Sequence, residues 1–242
     1  MKIVLFGGTT EGRILARALT GLGHEVTVSV ATPVGAEGLE DLDVRVGRLD
    51  RFGMSPLLQD CDLCVDASHP YARALRETVR TACRQAQVPL RRVSRPKSPA
   101  GGCVELETAA EAAAYLSGRA GNVLLTTGAK ELSSFSVLDP ARLYARVLPT
   151  HESLTACETL GLPHRNILAL WGPFSQEFNA AILRQYAIRW LVTKDGGEAG
   201  GFPEKCAAAR QTGTRVLLLR RPEDFGQTPT EFLQTLQEGG PL

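Results

Sequence analysis

Met1-Lys-Ile-Val-Leu-Phe-Gly-Gly-Thr-Thr-Glu-Gly12, followed by Arg13-Ile-Leu-Ala-Arg-Ala-Leu-Thr20, is the stretch whose reading decides the fold. Ile3 to Phe6 is a continuous apolar run, the signature of a strand buried on both faces of a parallel sheet. Gly7 and Gly8 break it, and Ile14, Leu15, Ala18 and Leu19 then recur at helical spacing. His24 to Val30 supplies a second strand, so strand, glycine turn, helix and strand follow in order. Such a turn lets a phosphate approach the backbone, with the first helical amides aimed at the anion. Gly7, Gly8, Thr9, Thr10 and Glu11 are therefore cofactor-binding candidates. The spacing is G-G-x-x-x-G and not G-x-G-x-x-G, so the βαβ context carries the reading; a turn without a ligand is the plain alternative.

Dinucleotide sites commonly place an acid at the end of the second strand to hold the ribose 2′-hydroxyl. Here Val26-Thr-Val-Ser-Val-Ala-Thr32 ends without one. Ser29 and Thr32 are neutral donors that tolerate a 2′-phosphate, which points to NADPH over NADH.

A chain of 242 residues can hold one large or two small domains. With 43% hydrophobic and 22% charged residues, the composition is that of a globular protein. A formal charge of +1 lacks the whole-domain basic signal of a nucleic-acid binder. No apolar run reaches the length of a membrane span, and the N-terminus enters a strand without a signal peptide. The expectation is a cytoplasmic protein with no nucleic-acid or membrane partner, monomeric or weakly self-associating. The six cysteines are scattered; Cys61-Asp-Leu-Cys64 has no second pair, so buried reduced thiols are expected and no metal site.

Further strands are expected at Val44 to Val46, Asp62 to Val65 and Val88 to Val93, with a helix from Pro70 to Gln85. Arg95-Pro-Lys-Ser-Pro-Ala-Gly-Gly102 reads as a linker. A boundary near residue 98 divides the chain into a nucleotide-binding domain, 1–98, and a second α/β domain, 99–242. The second half alternates helix and strand in the same way. A helix over Thr108 to Leu116 is followed by strands at Val123 to Thr126, Arg142 to Val147, Ile167 to Leu170, Trp190 to Thr193 and Val216 to Leu219. Helices fill the intervals, with Ser175 as a cap and a last helix over Thr230 to Gln237. The fold class is α/β: two Rossmann-like parallel-sheet domains facing each other across a ligand cleft.

Ligands of open α/β sheets sit beyond the carboxyl ends of the strands. The polar clusters fall there: Gly7–Glu11, Ser29–Thr32, Asp66–Tyr71, Thr126–Lys130, Gly172–Ser175 and Thr193–Gly201. His69 is either a cofactor or substrate contact or a turn histidine. Lys130 and Lys194, each past a strand end beside glycines, can pair with ligand carboxylates or phosphate. Asp195 suits a turn better than acid catalysis. Gly196, Gly197, Gly200 and Gly201 form either a flap that closes over a ligand or a flexible surface loop. Arg91, Arg92, Arg95 and Lys97 make either a solvated face or a polycarboxylate site.

Phe6-Gly-Gly-Thr-Thr-Glu11, Asp66-Ala-Ser-His-Pro-Tyr-Ala72, Leu125-Thr-Thr-Gly128 with Lys130-Glu131, Gly172-Pro-Phe-Ser175, and Thr193-Lys-Asp with Gly200-Gly-Phe-Pro-Glu-Lys205 together resemble the precorrin-6A reductases, including those acting on cobalt-precorrin-6A. Arg95-Pro-Lys-Ser98 departs from the Arg-Pro-x-Trp pattern expected there. The resemblance implies NADPH-dependent reduction of the C18–C19 double bond of precorrin-6A to precorrin-6B in cobalamin biosynthesis, with hydride to C19 and a proton to C18. It implies cofactor contacts from Ser68, His69 and Pro70 besides the glycine turn. Substrate contacts would come from Thr127, Gly128, Lys130, Ser175, Lys194, Gly200, Gly201 and Phe202, with Lys194, Lys130 and His69 in catalytic roles. Two other classes stay open: a non-catalytic NADP-sensing module, and an S-adenosylmethionine-dependent methyltransferase, against which the missing acid counts.

Overall fold

The computed structural model describes residues 1–95, 98, 101–197 and 200–239. The chain divides into two compact units, Met1–Pro96 with Pro222–Leu242, and Lys97–Arg221.

The first unit begins with β1 (Lys2–Phe6), α1 (Thr10–Gly21), β2 (Glu25–Val30), α2 (Pro33–Ala36) and β3 (Asp43–Val46). It continues with α3 (Arg51–Leu58), β4 (Leu63–Asp66), α4 (Arg73–Ala86) and β5 (Leu90–Arg92). The strands form a parallel sheet in the order β3-β2-β1-β4-β5, with Phe6 level with both Ser29 and Asp66. The order reverses between β1 and β4, which puts the ligand crevice of such a sheet at the carboxyl ends of those two strands. Ile3, Leu5, Val28 and Val65 pack against Leu15 and Leu19 of α1 on one face. Val4, Phe6 and Cys64 pack against Met54, Leu58 and Val79 on the other. Burial on both faces is why β1 reads as an unbroken apolar run.

The second unit holds β6 (Val104–Leu106), α5 (Ala109–Ser117), β7 (Asn122–Leu125), a 3₁₀ segment (Ala129–Phe135) and β8 (Leu143–Val147). It goes on through α6 (His151–Thr159), β9 (Ile167–Ala169), α7 (Gln176–Gln185), β10 (Ile188–Lys194), α8 (Phe202–Thr212) and β11 (Arg215–Leu219). Its parallel sheet runs β6-β11-β10-β7-β8-β9. After β7 the chain moves outward to β8 and β9, then returns to the other side of β7 as β10. The switch point therefore lies between β7 and β10.

The last helix, α9 (Pro229–Gln237), corrects the expected domain limits. The expected second domain spanned 99–242, but residues 222–242 return to the first unit. Phe232, 2% exposed, joins Ile3, Leu15, Leu19 and Val28 in one core, with Leu233 and Leu236 against it. Ahead of the helix, Ser94 N donates to Gln227 O and Gln227 N to Arg92 O, extending the sheet beside β5. Gly226 passes so close that a Cβ there would lie 2.8 Å from Arg92 Cγ. A capping box of Thr228 and Glu231 then starts α9.

Smaller differences have local causes. Pro70 sits in a turn, and α4 starts only at Arg73 after Ala72. Edge strand β6 is three residues long and carries a glutamate, too short for a pattern. Gly53 and Pro56 disguise α3.

Candidate functional site

In the first unit, α1 starts where β1 ends. Thr9 caps it: its Oγ1 accepts from Gly12 N at 3.1 Å and donates to Ala67 O at 3.1 Å, tying the segments after β1 and β4 together. A Cβ on Gly12 would meet Gly7 Cα at 3.2 Å, so paired glycines let helix and strand approach. Gly8 has φ +129°, and a Cβ there would meet nothing closer than 3.8 Å. This glycine serves backbone conformation, beside open space. The Gly8 and Thr9 amides have no hydrogen-bond partner among the described residues. With the first helical amides of Thr10 and Glu11, they make a cradle fitted to a pyrophosphate.

Glu11 is less free than its position suggests. Its carboxylate pairs with Arg95 at 3.3 Å, both side chains being largely buried. Ser29 lies inside β2, 5% exposed, and its carbonyl accepts from Gly7 N. The end of β2 is instead shaped by Thr32, which caps α2 through Gly35 N at 3.3 Å. Arg13 reaches the same region, its Nε donating to Glu37 O at 3.1 Å.

After β4 the loop is clamped from below. Arg92 Nη1 donates to Asp66 Oδ1 at 3.0 Å and to Asp66 O at 2.9 Å, and Nη2 to Ser68 O at 2.8 Å. The same guanidinium is gripped by Asp224, which Arg76 approaches at 3.6 Å. Two carboxylates and two guanidiniums thus balance inside the unit. Ser68 and Pro70 are buried, while His69 is exposed, its Nδ1 accepting from Tyr71 N at 3.3 Å. Of Arg91, Arg92, Arg95 and Lys97, read as either a solvated face or a polycarboxylate site, Arg92 and Arg95 are neither: they are committed to internal acids, because burial requires paired charge. Lys97 lies outside the described residues.

In the second unit, β7 runs into Thr126, Thr127 and Gly128. Thr126 Oγ1 donates to Val192 O at 3.0 Å. Thr127 Oγ1 is buried with no partner among the described residues, an arrangement that costs ~1–3 kcal/mol unless a ligand completes it. Gly128 turns at φ +88°, with open space where a Cβ would be. Lys194, the last residue of β10, crosses to the segment after β7, its Nζ 2.9 Å from Glu131 Oε1. Lys130 is exposed and unpaired among the described residues. The structure therefore gathers Thr127, Gly128, Lys130 and Lys194 at one switch point.

A second gathering joins the segments after β9 and β10. A Cβ on Gly201 would lie 3.5 Å from Pro173 Cβ. Ser175 caps α7 by accepting from Phe178 N at 3.2 Å. Gly200 N donates to Gly196 O and Gly197 O, and Phe202 N to Gly197 O, so these glycines form a bonded turn. Glu198 and Ala199 of the expected flap lie outside the described residues. The Phe202 ring, 1% exposed, packs with Cys206 and Leu218; this corrects its expected place as a substrate contact, since its ring belongs to the core. Asp195 takes the turn role, accepting from Gly197 N and from Ser98 N, each at 2.9 Å. The described cysteines are all free thiols.

Sequence reasoning passed over Arg146 and Lys205. Arg146, 7% exposed in β8, donates to Asn179 Oδ1 at 2.8 Å and lies over the Phe174 ring. Lys205 Nζ donates to Gly200 O at 3.1 Å. Its charge is penalised first by burial and next by Arg146, which push its value down to about 8. An arginine inside the otherwise apolar run of β8 was the available signal.

Two parallel α/β sheets, one with a glycine turn after its first strand and both with polar clusters at their switch points, define a protein of the two-domain Rossmann-like class. Likeness to known proteins narrows the class. Residues 2–238 match the family model Precorrin-6x reductase CbiJ/CobK, and the chain belongs to that family. It is 36% identical to the cobalt-precorrin-6A reductase of Salmonella typhimurium, over 91% of this chain and 87% of that one. It is 32% identical to the cobalt-precorrin-6A reductase of Priestia megaterium, over 95% of this chain and 94% of that one. The solved structure of CobK precorrin-6A reductase superposes with TM-score 0.80 at 26% identity, covering 99% of this chain and 97% of that one. Membership in a reductase family leaves the sensing-module and methyltransferase readings without support.

Proposed function

We propose that this chain reduces the C18–C19 double bond of precorrin-6A, metal-free or cobalt-bearing, with NADPH as the reductant. The observation that carries this reading is a family match spanning both units, together with two polar switch points that carry its motifs. NADPH, when bound, supplies a hydride for C19 while C18 gains a proton.

The chain's own residues then have distinct tasks. Gly8 and Thr9 amides face the pyrophosphate, and Gly8 has to lack a side chain for the phosphates to approach. Thr32 and Arg13 border the end of β2, where a neutral hydroxyl and a cation suit a 2′-phosphate and an acid would repel it. His69 stands over the β1–β4 crevice on a loop fixed by Arg92. Lys194, Lys130 and the Thr127 hydroxyl are the polar groups for the macrocycle, whose acetate and propionate arms want cations and donors. Catalysis in this scheme comes mostly from holding two ligands in register. The test is NADPH oxidation in the presence of each form of the macrocycle.

A further inference from the structure

Arg146 and Lys205 stand out because the first is buried, the second half-buried, and neither forms an ion pair with an acid among the described residues. Arg146 projects from β8 on the face that also carries Tyr144, toward α7 and α8. Its partners are an amide oxygen of Asn179 and the face of Phe174. Asn179 in turn donates to Phe174 O and Ser175 O, fixing the segment after β9. That segment abuts Gly201, and Lys205 Nζ reaches back to Gly200 O. Lys205 feels Glu204 and Asp195 electrostatically, yet neither forms an ion pair with it. Glu204 Oε2 is itself buried without a partner among the described residues. The hydrogen bonds of the two cations among the described residues therefore go only to neutral groups, and the two charges lie near enough to repel each other. Buried charges ordinarily come paired. A fold that places two cations without an ion pair among the described residues at the carboxyl-end loops of its own sheet fits an anion that arrives with a ligand.

We infer that Arg146 and Lys205 form a subsite on the second unit that binds one carboxylate arm of the macrocycle. The inference rests on the macrocycle reading proposed for this chain and adds a specific pair to it. A carboxylate between them would accept from the ammonium and from the guanidinium nitrogens not used by Asn179. The Phe174 ring and Asn179 hold the guanidinium's orientation. The site is separate from Lys194 and Thr127 in sequence, and it gives the substrate a second anchor.

The experiment uses uroporphyrin III, an octacarboxylate tetrapyrrole, as the probe. Its binding to the full chain is followed by fluorescence, beside NADPH affinity and thermal unfolding. Lys205→Met and Arg146→Gln should each weaken uroporphyrin about ten- to a hundred-fold, the loss of one charge-assisted contact. NADPH affinity should match the parent. Lys205→Met should also unfold no earlier than the parent, since it removes a charge that burial penalises. Lys205→Arg, which keeps the charge, should retain most of the binding. Undiminished uroporphyrin binding in both neutral variants, a parent that does not bind uroporphyrin, or a loss that falls equally on NADPH would each overturn the inference. Reduction of precorrin-6A by the parent is measured separately. A parent that reduces it while Lys205→Met keeps the parental KM contradicts the subsite and leaves the reductase reading intact.

Discussion

Arg92 and Asp224 lie 132 positions apart and meet through two parallel hydrogen bonds, Nε to Oδ1 at 3.0 Å and Nη2 to Oδ2 at 2.8 Å. This fork joins the end of the last strand of the first sheet to the segment that returns from the second unit. Through the same guanidinium it fixes Asp66 and Ser68, and so the loop that presents His69. The C-terminal segment is thus part of the first unit's scaffold and of its candidate site.

Asp224→Ala should therefore destabilise the first unit by about 3–5 kcal/mol, the effect of leaving a buried arginine without its acid. Denaturant unfolding with a probe in each unit would show the first unit melting earlier. A variant as stable as the parent would mean that Asp66 alone satisfies Arg92.

Gly8→Ala probes the phosphate cradle. The added methyl meets no atom within 3.8 Å, but φ +129° strains any L side chain, costing ~1–3 kcal/mol. The protein should fold, less stably, and bind NADPH at least ten-fold more weakly. Normal NADPH affinity would reduce the turn to a structural role. From the sequence alone, Ser29→Asp looks like the natural probe of cofactor choice. At 5% exposure Ser29 is unsuitable, because the new carboxylate would be buried.

Lys194 is the substrate-facing cation proposed for the β7–β10 switch point. Its pair with Glu131 is partly exposed and should contribute only ~0–1 kcal/mol to stability. Lys194→Ala should leave fold and NADPH binding nearly unchanged and lower kcat/KM for the macrocycle about ten- to a hundred-fold. Steady-state kinetics beside an NADPH titration decide the matter. Chief loss of NADPH affinity would place Lys194 at the cofactor.

Lys205 gives a pH signature. Burial, then Arg146, push its value from 10.5 down to about 8 in the folded chain. Between these values the unfolded chain holds the proton more tightly, so stability rises with pH across that window. The penalty is complete below about pH 8 and relieved as pH approaches 10.5, a span of roughly 3 kcal/mol. Measured against Lys205→Met, the parent should gain stability from pH 8 to 10.5. A difference that stays flat would show that the ammonium is solvated.

The legible part of this molecule was whatever repeats along the chain. The apolar run of β1, the glycine break and the period of α1 carry their own structure, and the strand ends marked where polar clusters gather. Tertiary partners were hidden. Nothing local to Asp224 points to Arg92, and Phe232 reads equally well as core of either unit. Arg92 and Arg95 looked like a surface cluster because their acids, Asp66, Asp224 and Glu11, are distant in sequence. Phe202 stood in a recognisable motif, yet the motif position does not say that its ring faces inward.

The central claim is tested most directly by anaerobic absorbance measurement of the purified chain with precorrin-6A or cobalt-precorrin-6A and either NADPH or NADH. The account predicts loss of NADPH absorbance at 1:1 stoichiometry with a spectral change in at least one macrocycle, and slower turnover with NADH. An unchanged spectrum with both macrocycles, or equal rates with NADH and NADPH, would contradict it.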